Sequence, residues 1–442
     1  LVHAAESVSL KQIDSKTIQV SSVITSKGSR DFMFTSCVTW TVFGNGVIHS
    51  ANSVSCSDDA LVLPRLGVRF KVDAKYGNVT YFGRGPEENY VDRKYASHIG
   101  RYTTTYRDMY FPYPRTQDTG NREDVRWFAL SGRGHDGLQV IADRPMSFAA
   151  LPYTAEDLAA ALHPIDLVED GKVVVNLDAK SLGLGGGSCG PRTMRKYVVD
   201  SGMTIFGYRF APCRNASQLV ETASRSVPVM LPVSISRDGD GVVHIESSDA
   251  NAAITYRVDD GAESVYAGPF ELPRACTVAA SAAREGMIPA GAVRRSFDRF
   301  VARGGWKVLH VSSAEPGEGN PKHAFDNKLD TIWHTVYGNS VAPYPHEIQI
   351  NLNRDERLAG FTITARQDGS NGRIKGYEFH VSDDGKAWAK VKSGNLANNN
   401  NLQEIKFSEQ AKARYIRFVA TSPQNRSDPW ASLAELSIIP VE

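Results

Sequence analysis

The sequence predicts an all-β chain made of a large β-sandwich, a smaller β-sandwich and a β-jelly roll. Short runs rich in β-branched and aromatic residues recur along its whole length, among them KTIQVSSVIT, FTSCVTWTVFG, GVRFKVD, NVTYFG, GLQVIAD, KVVVNLD, YRVDDG, YIRFVAT and AELSIIPV. Gly, Asn, Asp and Pro punctuate them, as turn residues do. Only YTAEDLAAALH reads as a helix, with Thr154 as its cap, Glu156 and Asp157 in its first turn, and Leu158 and Leu162 on one face. Strands and helices do not alternate, so no parallel α/β barrel is encoded here.

A length of 442 residues allows two to four domains. Hydrophobic residues make up 41% and charged residues 22%, as in ordinary globular chains. The net charge of +1 gives no field for nucleic acid or an anionic membrane. No apolar run reaches the roughly 18–20 residues of a membrane span. The opening LVHAAESVSLKQ lacks the basic start and apolar core of a signal peptide, and Leu1 suggests a piece of a longer protein or a mature product. Cys37, Cys56, Cys189, Cys213 and Cys276 contain no CxxC, which argues against zinc. Cys37 and Cys56 can pair only if their strands are neighbours.

Three regions separate: residues 1–213, then, after a polar linker at 214–226, residues 227–300, and finally 301–442. The first carries LPRLGVRF, FGRGPEENYVDR, YPRTQDTGNREDVRWF, FAALPYTAEDLAAALH and GLGGGSCGP, in that order. In the second word, Gly83 and Gly85 free the backbone and Pro86 fixes its exit, while Glu87, Glu88, Asp92 and Arg93 are placed to lock the loop by ion pairs. Arg122 and Arg126, near Asp118, Glu123 and Asp124, carry planar forks suited to carboxylates, so a salt-bridge network is expected in preference to sugar contact.

Together these words resemble the C-terminal β-sandwich of glycoside hydrolase family 2 β-galactosidases, the domain that follows their catalytic barrel. The resemblance implies that the Gly183–Pro191 loop faces that barrel's active site, where many members place a Trp against the galactose. This sequence has Ser188, Cys189 and Gly190 instead, which removes the stacking ring. Cys189 has no base nearby in sequence and is not read as a nucleophile. Retaining glycosidases need two carboxyl groups about 5–5.5 Å apart. In the family both belong to the barrel, so no catalytic residue and no catalytic cofactor is expected in this chain.

In the second region AAITYRVDDG, VYAGPFELP and CTVAASAAREG resemble the small immunoglobulin-like domain near the C-termini of chitobiases and hexosaminidases. A spacer role is expected.

The third region holds AFDNKLDTIWHT, PYPHEIQINL, GFTITARQDGSNGRIKGYEFHVSDDGKAW, ARYIRFVAT and SLAELSI. It resembles the discoidin-type jelly roll and, within that group, the family-32 carbohydrate-binding modules. The resemblance implies a galactose-binding rim of His334, Tyr337, Arg366 and Asn371, with Trp430 as the other aromatic open to the sugar's C–H face. The residue types suit the task. A guanidinium donates to two hydroxyls at once, an amide donates and accepts, and neutral imidazole does either. The bland alternative is that Arg366 pairs with Asp368 and His334 caps a loop. The resemblance also implies a structural Ca²⁺ near the module's base, held by Asp326 and Glu435 carboxylates, His323 and Lys328 carbonyls and Thr331, with Asp330 as an alternative.

The expectation is a non-catalytic C-terminal part of an exported, bacterial-type β-galactosidase. It would border the parent's own catalytic barrel and hold galactose-containing glycans. The rival is a stand-alone glycan-binding or adhesion protein, for which the first region would have no purpose.

Overall fold

The structure is a computed structural model describing residues 1–28, 32–57, 61–132, 135–187, 189–213, 228–238, 240–338 and 340–441. Ser188 and the expected linker at 214–226 lie outside the described residues. The chain is all-β, with 55% of it in strands. It divides into two compact units. One comprises Leu1–Ser236, His244–Pro269 and Cys276–Phe297; the other comprises Arg237–Val243, Phe270–Ala275 and Asp298–Glu442. Among the described residues no helix is long and apolar enough to cross a membrane.

The first unit is dominated by an eleven-stranded antiparallel sheet. Its strands are β1 (Val2–Asp14), β2 (Thr17–Lys27), β3 (Met33–Phe43), β4 (Ile48–Cys56), β5 (Arg65–Asp73), β6 (Asn78–Gly85), β7 (His98–Thr105), β8 (Arg122–Gly132), β9 (His135–Leu151), β10 (Lys172–Ser181) and β11 (Thr204–Cys213). The main path runs β1-β2-β3-β4-β11-β9-β8-β6-β7, with β10 joining β9 to β5. The 17-residue β9 makes this possible. Its first half pairs with β11, and its end, from Ser147 to Leu151, pairs with β10. In KVVVNLD, Val173, Val174, Val175 and Leu177 are all buried, because β10 is paired on both edges and covered on both faces. Phe128 and Phe148, fully buried and stacked at 4.1 Å, mark the centre of the core.

The helix forms as Ala155–Ala160. The Thr154 hydroxyl accepts from Asp157 N at 3.1 Å, and the Asp157 carboxylate accepts from Thr154 N at 2.8 Å, a reciprocal cap. It stops earlier than the apolar pattern implied, so Leu162 lies beyond its end and is 65% exposed. The Cys37–Cys56 pairing, open only if their strands were neighbours, does not form, for a reason of register. β3 and β4 are neighbours, but Cys37 lies opposite Ser53 and Cys56 opposite Phe34. Cys37, Cys56, Cys213 and Cys276 are buried, and Cys189 is exposed.

The region after residue 227 contributes two small antiparallel sheets. One contains β12 (Ser234–Arg237), β13 (Val242–Glu246) and β16 (Phe270–Glu271). The other has the order β15-β14-β17-β18, from β14 (Ala253–Val258), β15 (Ser264–Val265), β17 (Cys276–Ala283) and β18 (Val293–Phe297).

The second unit holds the jelly roll: β19 (Lys307–Val311), β20 (Trp333–His334), β21 (His346–Thr364), β22 (Ile374–Ser382), β23 (Ala389–Asn395), β24 (Leu402–Pro423), β25 (Ser432–Leu433) and β26 (Glu435–Pro440). The two longest strands bend. Register breaks near Asn351–Glu356 and Leu358–Gly360 let the first half of β21 pair with β19 and the end of β24, and its second half with β26 and the start of β24. Phe361, Phe379 and Phe418 fill the space enclosed, all with no exposed surface. Phe361 stacks on Phe379 at 4.4 Å.

Candidate functional site

Short β20 and β25 pair at one end of the jelly roll, where His334 lies opposite Ser432. Ser432 organises the rim. Its N–H donates to Gly372 O at 2.8 Å and its hydroxyl to Asn371 O at 2.8 Å. Gly372 has φ +72°, and a Cβ there would meet Ser432 Oγ at 2.9 Å and Trp430 Cδ1 at 3.0 Å, so only glycine lets the loop lie against both. Asp428 accepts from Gly372 N at 3.1 Å. Asn371 is exposed on this framework, and Trp430, beside Gly372, is half-buried.

On the other flank, the His334 and Tyr337 rings meet edge to face at 5.0 Å. Tyr337 is 41% exposed, and its hydroxyl donates to Glu318 Oε2 at 2.8 Å. Glu315 accepts from Tyr337 N at 2.8 Å. Arg366 donates from Nε and Nη2 to Asp368, both at 2.8 Å, so the Arg366–Asp368 pairing of the bland alternative is present. Asp368 is nonetheless 68% exposed and holds the guanidinium from the solvent side. The rim therefore brings His334, Tyr337 and Arg366 together, with Asn371 and Trp430 along the same loop framework. Glu318 and Glu315 were missed in the sequence. The only signal for them was an acidic, Gly-rich turn, AEPGEGN.

The protonation of His334 follows from its neighbours. Thr335 O can only accept, so the nitrogen 2.6 Å from it, Nδ1, carries the proton. Nε2 is left as an acceptor. Burial, with help from the Arg366 charge, holds the His334 pKa below the usual histidine value. A ligand hydroxyl that donates to Nε2 needs the neutral ring. Binding at this rim is therefore expected to be flat from pH 8 to pH 7, and to weaken only at pH values below an ordinary histidine titration. Titration calorimetry across that range checks it; a fall centred above pH 7 would contradict the assignment.

Near the module's base, Asp326 Oδ1 and Glu435 Oε1 both accept from Lys328 N at 3.0 Å, so the two carboxylates lie side by side. Both Asp326 oxygens also accept from the Thr331 hydroxyl, which reaches Lys328 O at 3.2 Å. Asn327, at φ +63°, turns the chain between them. The His323 ring is turned to Ile332 O, 3.2 Å from its Nδ1. Burial pushes the Glu435 carboxyl up to about 7 against the pull of Arg303, with which it is paired. Among the described residues no three His, Cys, Asp or Glu side chains form a metal cluster. The set is two carboxylates plus a carbonyl and a hydroxyl. Side-by-side carboxylates with neutral oxygen donors fit a hard dication such as Ca²⁺.

In the first unit the GLGGGSCGP loop is seated on Asp92, which accepts from Gly185 N at 2.8 Å. Gly185 has φ +62°, and Cys189 N and Gly190 N both turn back to Gly186 O. Of the expected ion pairs in FGRGPEENYVDR, Arg93–Glu88 forms at 2.9 Å. Asp92 instead serves the glycine loop. Glu88 also accepts from Gly120 N, Thr119 and Tyr113, tying the second word to the third. The expected arginine network is corrected. Among the described residues neither Arg122 nor Arg126 pairs with a carboxylate. Arg122 is buried and donates to the Tyr81 hydroxyl at 3.1 Å and to the carbonyls of Gly120 and Asn121. The neighbouring carboxylates have other cations: Arg65 for Asp118, and Arg84 and Lys94 for Asp124.

Comparison with known proteins supplies the relationships. Residues 2–211 match the β-galactosidase small chain family and residues 309–436 the F5/8 type C domain. A β-galactosidase of Priestia megaterium is 32% identical over 157 residues, covering 35% of this chain and 15% of that protein. One from an Arthrobacter species is 36% identical over 136 residues, covering 30% and 13%. A Clostridium perfringens protein solved in complex with GalNAc-β-1,3-galactose is 35% identical, covering 31% of this chain and 96% of that one, with a TM-score of 0.29. The chain spans less than a fifth of the length of these β-galactosidases. The chain thus resembles the β-galactosidase small chain over residues 2–211 and the F5/8 type C domain over residues 309–436.

Proposed function

We propose that the chain is a non-catalytic, C-terminal part of an exported β-galactosidase, borders that enzyme's catalytic barrel, and binds galactose-containing glycans through its last domain. The observation that carries the reading is the joining, in one chain, of a β-galactosidase small-chain domain to a module whose rim gathers His334, Tyr337 and Arg366. The Asp92-seated loop at Gly183–Pro191 is the part of the first unit that would face the active site. An open rim site buries little of a sugar, so affinity is expected on the order of 0.1–1 mM. The test uses the full chain in two assays. Galactose, lactose, N-acetylgalactosamine and glucose are titrated by calorimetry, and turnover is measured on a chromogenic β-galactoside. The expected result is weak binding of the galactose-configured sugars, none of glucose, and no turnover. Turnover that disappears on mutating a glutamate of this chain, or failure of every sugar to bind, would refute the reading.

The same proposal includes a structural Ca²⁺ held by Asp326, Glu435, Lys328 O and Thr331, with His323 nearby. A ligand that binds only the folded state stabilises it by mass action, by about 2.7 kcal/mol at a hundred times Kd. Chelation is expected to lower the melting temperature of the wild type by several degrees, and added Ca²⁺ to restore it. Asp326→Asn is expected to remove this response. A melting curve indifferent to chelator and Ca²⁺ would rule the ion out.

A further inference from the structure

The first unit holds a groove of about 680 Å³. One wall is the outer part of the large sheet, β1 to β3, and the other is a face of the small sheet, carried by β14, β17 and β18. The walls are pinned together at one end. Gly291 N donates to Thr39 Oγ1 at 3.1 Å, and Gln19 Nε2 donates to Pro289 O at 2.8 Å. A Cβ on Gly291 would meet Thr39 Oγ1 at 2.5 Å, so glycine lets the turn before β18 seat against the large sheet. Elsewhere the groove stays open because Ser, Thr and Ala predominate on both walls.

Strand register decides what the walls carry. On the large sheet Ser9 lies opposite Ser21, and Ser21 opposite Thr39, a row of three hydroxyls across three strands. Ser21 Oγ and Thr39 Oγ1 are 3.2 Å apart. On the small sheet Thr255 lies opposite Ser281, with their hydroxyls 3.3 Å apart. In the next row on that face, Arg257 lies opposite Ala279, and Ala279 opposite Arg294. Both arginines line the groove and are exposed, as is Lys11 on β1. Burial holds the Cys37 thiol on β3 above the usual cysteine pKa, and Arg294 opposes this through its backbone N–H and its charge, which places Arg294 against the opposite wall.

Two arginines in one cross-strand row call for a counter-charge. Like charges at close quarters on a sheet destabilise it, and strand spacing sets these two backbones only roughly 9.5 Å apart. Yet among the described residues Arg257, Arg294 and Lys11 form no ion pair and no side-chain hydrogen bond. Glu263, the carboxylate in the lining, accepts from the Thr255 hydroxyl at 3.0 Å instead. The walls thus offer two unpaired guanidinium forks on one side and a row of hydroxyls on the other. The forks suit the oxygens of a sulfate or carboxylate group. The hydroxyls both donate and accept, as the hydroxyls of a sugar require.

We propose that this groove binds an anionic sugar, a sulfated or uronic hexose, with its charged group between Arg257 and Arg294 and its hydroxyls on the Ser21–Thr39 row. The site is separate from the His334 rim and independent of the galactose reading. Its test therefore uses glucose-configured ligands, which the rim is not expected to take.

The full chain is titrated by calorimetry with glucose 6-sulfate, glucuronic acid, glucose and sodium sulfate at low ionic strength. Both anionic sugars are expected to bind and glucose is not. Sodium sulfate should bind at least about tenfold more weakly than glucose 6-sulfate, since it lacks the contacts with the hydroxyl row. Binding should weaken as salt is raised, because the arginines are exposed and screened. Arg257→Ala/Arg294→Ala should weaken glucose 6-sulfate by about tenfold or more, the loss of charged hydrogen bonds, with an unchanged melting curve because both side chains are exposed. Failure of both anionic sugars to bind, or affinity that survives in the double variant, would overturn the site. Sodium sulfate binding as tightly as glucose 6-sulfate would mean an adventitious ion only and would overturn the sugar assignment.

Discussion

Phe361→Ala is expected to destabilise the jelly roll by about 3–5 kcal/mol, the range for emptying a buried aromatic site. Phe361 has no exposed surface. It stacks on Phe379 at 4.4 Å, meets Tyr377 edge-on at 5.4 Å, and lies 6.0 Å from Phe418 and 6.2 Å from Phe407. Its truncation removes one face from four ring contacts at once. The rings around it belong to β22 and β24, strands pinned by hydrogen bonds on both sides, so they cannot collapse into the gap. Two compact units should give separable unfolding transitions. The one belonging to the second unit is expected to fall by roughly 10–15 °C, at about 3 °C per kcal/mol for a domain of this size. The other should stay in place. A shift below about 3 °C would mean that the cluster is looser than its geometry implies.

What was legible in the sequence follows from what each strand faces. In β22, Tyr377, Phe379 and Val381 are buried while Glu378 and His380 are only half-buried, so the apolar–polar alternation of GYEFHVS marks which face each residue presents. The Asp-Gly pair after it is a turn signal, and the turn forms there, with Gly385 at φ +72° and Ser382 accepting from both amides. β4 was missed because IHSANSVSC reads as polar, yet most of it is buried. Its small side chains satisfy one another and the backbone, as when Asn52 donates to Ser50 O at 3.2 Å. β1 was missed for the opposite reason. Nearly all of it is exposed, so no face bears a burial pattern.

The sites divide in the same way. Neighbours set by local spacing were readable, so the His334 and Tyr337 rings touch and the Arg366 charge acts on His334. Partners from distant segments were not. Glu318 approaches Tyr337 from 19 positions away, and Arg303 reaches Glu435 across 132. Arg122 misled because a fork suited to carboxylates was read as needing one. In the buried corner where it sits, two carbonyls and a tyrosine hydroxyl satisfy it, and Asp118 and Asp124 have cations of their own.

Arg366→Ala is expected to abolish detectable galactose binding. A hydrogen bond to a charged group is worth about 1.5–3 kcal/mol, a factor of roughly ten to one hundred and fifty. From a starting Kd on the order of 0.1–1 mM, that leaves nothing to measure with soluble sugar. The fold should survive, because the lost pairing is with Asp368, which is 68% exposed, and such pairs contribute about 1 kcal/mol or less. A second readout separates a binding role from a structural one. Burial, and after it the Arg366 charge, depress the His334 pKa. Removing the guanidinium should let His334 titrate at higher pH, visible by NMR, whether or not sugar is present. Tyr337→Ala and Trp430→Ala then identify the sugar's apolar platform. Tyr337 is the more exposed ring and lies on the His334 side; Trp430 lies under the loop that carries Asn371. Only the ring that covers the sugar should abolish binding when truncated. Trp430→Ala should in addition lower the melting temperature, since it supports Gly372. If Arg366→Ala binds galactose like the wild type, the guanidinium belongs to Asp368 alone and the rim is only a polar edge of the jelly roll.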